Sequence, residues 1–64
     1  MEIDFDQLAD DIYKYIYPEY GDDIRFRARK ETEIRDWLTK DIVDEYGGVV
    51  AQLARAWREY DQWQ

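Results

Sequence analysis

Sixteen carboxylates, ten of them aspartates, and six tyrosines are the side chains with most chemistry to offer in this sequence. Beside them stand nine cations and two threonines, with no histidine, cysteine, serine or asparagine. The chain thus lacks the common nucleophiles and the side chain that titrates unperturbed near neutrality. Paired carboxylates can act as general acid and base, but only where a cleft positions them, and 64 residues leave little room for one. No stretch fits the D-x-[DN]-x-[DN]-G loop of an EF-hand, and a structural zinc site has none of its usual His or Cys ligands. The chemistry on offer is display of charge. The sequence predicts a non-enzyme with no catalytic residue, cofactor or metal site.

The aspartates carry the first clue. Aspartate is a poorer helix former than glutamate because its short side chain competes for the backbone. Yet Asp10, Asp11, Asp36, Asp41 and Asp44 fall in segments that read as helical. A short carboxylate holds its charge close to the backbone, and carboxylates one helical turn apart lie roughly 5–6 Å from each other. DNA phosphates repeat every ~3.4 Å of axis per strand and lie farther apart through space. A row of aspartates can therefore stand in for a phosphate track. Asp10, Asp11, Asp22 and Asp23 toward one end, with Asp41, Asp44 and Glu45 later in the chain, are the candidates. The competing reading is a solvated acidic face that serves solubility.

"DIYKYIYPEYGDD", residues 11–23, sets four tyrosines among four acids. Tyr13, Tyr17 and Tyr20 fall off the apolar stripe of the first predicted helix, next to Glu19 and the aspartates. Tyrosine is enriched at interface hot spots, so this stretch reads as a contact surface, with acids to steer and rings to grip. Alternatively the tyrosines cover the edges of a thin core.

Charge is uneven along the chain. Residues 1–23 carry a net −7, residues 24–40 a net +3 and residues 41–64 a net −3, which leaves −7 overall. The basic island Arg25, Arg27, Arg29 and Lys30, with Phe26 between, could stack on bases and touch phosphates. The overall charge repels a polyanion, however, so no direct nucleic-acid binding is expected. The arginines are expected to pair with acids of this chain or of a second copy.

The elements that must hold these groups are mainly helical. Phe5, Leu8, Ile12 and Tyr15/Ile16 recur at three- and four-residue steps, which predicts a first helix ended by Pro18. Residues 24–29, "IRFRAR", alternate strictly and predict a short β element around 24–28, which could pair with "MEIDF" and set acids across from arginines. A helix running from 23 to 46 is the alternative, and it carries no apolar face through residues 29–33. A second helix over 32–46 is expected to be capped by Thr32 and closed by Gly47-Gly48, and a third follows over 49–63. The fold class expected is mainly α, with an α-hairpin in the C-terminal half; the alternative is an all-α three-helix bundle. The expected core is Phe5, Leu8, Ile12, Ile34, Trp37, Leu38, Ile42, Val50, Leu53 and Trp57.

A single small domain of this length buries only about 60% of its unfolded surface, so a partner or a homodimer is a natural source of further stability. The N-terminus is acidic and no stretch approaches the ~20 apolar residues of a membrane span. The expectation is a cytoplasmic protein with no membrane contact, in a bacterial host if phage-encoded. In size, acidity and aromatic content the chain resembles the small proteins with which phages block restriction or CRISPR systems. That resemblance is one of general character, carries no motif and transfers no site. It implies an inhibitor that occupies the positively charged nucleic-acid site of a larger basic protein or complex. The alternative is a self-associating structural or adaptor module with an aromatic interface.

Overall fold

A computed structural model of the chain describes residues 2–21 and 23–63. The described residues form four α-helices: α1 (Phe5–Ile16), α2 (Ile24–Trp37), α3 (Lys40–Glu45) and α4 (Val50–Gln62), with a 3-10 turn at Pro18–Tyr20. The fold is mainly α, as the apolar periodicity implies. No strand occurs among the described residues.

α1 begins where Asp4 caps it, the carboxylate accepting from the Gln7 amide at 3.0 Å. Its apolar arc places Ala9, Ile12 and Tyr13 in the core and Phe5, Leu8 and Ile16 at its margin. α1 lies against both α2 and α4, which are its two principal neighbours. The core that results joins Ile12, Tyr13, Ile34, Leu53 and Trp57, each at most 1% exposed. All ten residues expected in the core lie in this cluster or pack against it. The shortest dimension of the molecule is 18 Å, about two helix diameters, so eleven aromatic rings cannot all be covered.

The expected β element at 24–28 is a helix. Asp23 caps α2 by accepting from the Phe26 amide at 3.0 Å, and the helix continues to Trp37. Its inward stripe is Phe26, Lys30, Ile34 and Trp37, a helical spacing in which one position is a lysine. Lys30 lays its stem along the core and extends its ammonium to Asp61 at 3.3 Å, so a charged residue completes an apolar face. Ile24 and Ala28, which alternation places inside with Phe26, are exposed. Residues 2–4 of "MEIDF" form no partner strand either, and Phe5 begins α1. The acid-to-arginine pairing expected of two strands is made between helices instead, by Arg27 with Asp10 and by Arg35 with Asp6 at 2.8 Å.

The predicted helix over 32–46 is two helices. Leu38 takes extended dihedrals, and Thr39 caps α3 by accepting from the Ile42 amide at 3.2 Å. Thr32, expected as the cap, lies inside α2 and donates its hydroxyl to the Ala28 carbonyl at 2.8 Å. Gly47 and Gly48 close α3 as expected. Both have positive φ, +66° and +71°, and the Gly48 amide donates to the Val43 carbonyl at 2.9 Å. This turn leads into α4, whose first residue follows an uncapped Val49.

Candidate partner-binding surface

The carboxylates divide into those bound internally and those left at the surface. Asp10 is bound: it meets Lys14 at 3.0 Å and receives the Arg27 guanidinium. Arg27 also reaches Glu31 at 3.2 Å, so two carboxylates flank one guanidinium. Asp10 is lowered to about 2 through hydrogen bonding with the Glu31 carboxyl and with Lys14, aided by Arg27. Glu31 is raised, first by burial and then by Asp10 beside it. Asp10 therefore holds the negative charge of the pair most firmly, and cations of this chain already answer it.

Asp11 accepts from the Gln7 side chain at 3.0 Å on the outer side of α1. Asp23 is committed to capping α2. Asp22 lies outside the described residues. Glu19 is exposed on the 3-10 turn, at the rim of an open groove of about 810 Å³ that Tyr17, Tyr20, Arg55 and Arg58 also line. Asp41, Asp44 and Glu45 are exposed on α3, at spacings of three and four residues that place them along one side. None of the three pairs with a cation among the described residues.

The island at 25–30 is divided: Arg25 and Arg29 are exposed, whereas Arg27 and Lys30 turn inward. Arg27 serves Asp10 and Glu31, and Lys30 serves Asp61 and, at 3.7 Å, Glu33. Arg35 adds its contact to Asp6. These cations neutralise acids of α1, α2 and α4 and none of α3.

The tyrosines need a correction. Tyr13, expected off the stripe among exposed contact residues, is 1% exposed. α1 is covered on two sides, and the side toward α2 takes in Tyr13, while Tyr15, expected inside, is 60% exposed. Tyr13, Tyr17 and Tyr20 gather around Phe26 with ring centroids 6.2, 5.4 and 4.5 Å from it. This cluster fastens the start of α2 to the end of α1. The half-buried Tyr17 also accepts a hydrogen bond from the Trp57 indole at 3.1 Å, across 40 residues of sequence. The Tyr13 hydroxyl is buried with no hydrogen-bond partner among the described residues, and burial raises its pKa. Of the three, Tyr17 and Tyr20 keep surface on the groove.

Two features escaped the sequence reading. One is Arg55 with Arg58 on the groove wall, both exposed and without an ion pair among the described residues. The other is a set of rings and acids from α2 and α4, Trp37, Trp57 and Tyr60 with Glu33 and Asp36. The groove forms where α4 meets the end of α1 and the 3-10 turn, and the ring set where α2 meets α4, so spacing within one helix alone signals neither.

No helix among the described residues is long and apolar enough to cross a membrane. No protein-family model, no curated protein and no solved structure matches this chain.

Proposed function

We propose that the chain is a non-enzymatic inhibitor that covers the basic nucleic-acid site of a larger protein, presenting carboxylates where phosphates would lie. The observation that supports this reading is the asymmetry of the ion pairs: Lys14, Arg27, Lys30 and Arg35 answer acids of α1, α2 and α4, while Asp41, Asp44 and Glu45 on α3 stay exposed and unanswered. Asp41 lies in the first turn of α3, where the helix dipole favours it, but helix stability does not account for the other two. Asp44 and Glu45 end the helix, where the dipole disfavours a carboxylate by roughly 0.3–1 kcal/mol each. The candidate surface is thus centred on α3, with Glu19 as a further exposed acid and Asp11 half-buried.

The test is capture from nuclease-treated bacterial lysate by the tagged protein, alongside D41K/D44K/E45K. The reading predicts recovery of a nucleic-acid-handling protein that added duplex DNA displaces, that moderate salt releases and that the triple variant fails to bind. Capture that survives both salt and the triple substitution refutes it.

A self-associating adaptor is the second reading. It is favoured by the exposure of Trp63 at 84% and Ile24 at 82%, large apolar surfaces that this fold does not use. Sedimentation that shows a salt-insensitive dimer, lost in Ile24→Asp, would favour it over the first.

A further inference from the structure

Trp37, Trp57 and Tyr60 form a closed triangle of rings, with centroids 5.5, 6.0 and 5.7 Å apart. Together with Glu33 and Asp36 they line a pocket of about 210 Å³ between α2 and α4, a volume suited to one side chain. Trp57 is 1% exposed and forms the floor, whereas Tyr60 is 43% exposed and Trp37 half-buried, so these two present ring surface. Asp36 has no ion-pair partner among the described residues, and Glu33 reaches Arg29 and Lys30 only at 4.0 and 3.7 Å. No Lys or Arg among the described residues lines the pocket.

Ring faces attract a cation through their quadrupole, and the two carboxylates add a direct charge attraction. An anion would be repelled. A neutral apolar group would cover the rings but strip water from Asp36 and Glu33 without replacing it. Among cations, a guanidinium is planar, weakly hydrated and forked, so it can lie on a ring while donating to a carboxylate; an ammonium is a heavily hydrated point charge. We propose that this pocket is a socket for an arginine side chain from the partner's basic surface. The inference rests on the reading of the chain as a binder of such a surface, and adds an anchoring point to the charge on α3.

The experiment needs no partner protein. The probes are N-acetyl-arginine methylamide and its neutral isostere N-acetyl-citrulline methylamide, titrated while the indole signals of Trp37, Trp57 and Trp63 are followed by NMR. The arginine probe should shift Trp37 and Trp57 with a dissociation constant on the order of millimolar, and the citrulline probe should not. Asp36→Asn and Tyr60→Leu, both at exposed positions, should each weaken the arginine probe by about threefold to tenfold. Equal shifts from both probes, no shift from either, or undiminished binding in the two variants would each overturn the proposal. Any of these would leave the α3 experiment untouched. Conversely, target capture that survives D41K/D44K/E45K would remove the inhibitor reading while a positive titration kept the socket.

Discussion

Two tyrosines one helical turn apart should respond oppositely to loss of the same atom. Tyr17→Phe removes the acceptor for the Trp57 indole, which is 1% exposed and has no other hydrogen-bond partner among the described residues. A buried donor left unpaired costs about 1–3 kcal/mol. Tyr17 is half-buried and borders the open groove, so water can partly replace its hydroxyl, which places the loss near the lower end, about 1–2 kcal/mol. A domain of 64 residues has a total stability of roughly 3–10 kcal/mol, so the effect is a large fraction of it. The melting midpoint should fall by about 4–8 °C for each kcal/mol lost. Tyr13→Phe deletes a buried hydroxyl that already lacks a partner, so it should raise the midpoint or leave it unchanged. Urea unfolding at neutral pH, followed by circular dichroism with the slope of the transition compared between variants, measures both. If Tyr13→Phe destabilises as much as Tyr17→Phe, the Tyr13 hydroxyl is satisfied in solution and the reasoning fails.

Other expectations follow from the caps and the Asp10–Arg27–Glu31 cluster. Val49→Asp supplies α4 with the capping carboxylate it lacks and should stabilise by about 1 kcal/mol in the same unfolding assay. Gly48→Ala meets no atom within 4 Å but keeps φ at +71°, so it should cost about 1 kcal/mol from backbone strain alone. Asp10, whose pKa is lowered from 3.8 to about 2, contributes stability that is present above pH 3.8 and lost as pH falls toward 2; Asp10→Asn should abolish that acid limb in a pH series of unfolding midpoints. Glu31 has the opposite sign: raised by burial, its contribution is complete below 4.5 and lost as pH rises through its folded value. Glu31→Gln should therefore hold or gain stability at neutral pH, and a clear loss there would show that the ion pair with Arg27 outweighs burial.

Some of this architecture can be read directly from residue spacing. The stripe Phe5, Leu8, Ile12, Ile16 announces α1, and Gly47-Gly48 announces the end of α3, because each depends only on neighbours within a turn or two. α2 is harder. Over six residues, "IRFRAR" satisfies a period of two, and the true helical face is hidden because Lys30 and Arg27 contribute stems that a hydropathy reading counts as polar. Thr39 breaks the second helix while Thr32 does not, and the two look alike until the chain direction after Leu38 is known. The acids of the candidate surface are visible as residue types. Which of them remain free is not, since Asp10 and Arg27 meet across 17 residues through the packing of α1 on α2.

α1 touches both α2 and α4, and its ties to α4 close only over long stretches of chain, such as the 40 residues from Tyr17 to Trp57. During synthesis, then, the first three helices emerge with one side of α1 still bare, and the core that holds Ile12 lacks Leu53 and Trp57 until α4 arrives. Assembly must wait for the final helix, so the folding rate should be governed by closure of this largest loop rather than by helix formation, which is intrinsically fast. A nascent chain stalled before residue 50 would expose apolar surface and be open to proteases and chaperones. Order across α1, α2 and α4 is therefore expected to arise together, once α4 is available to pack.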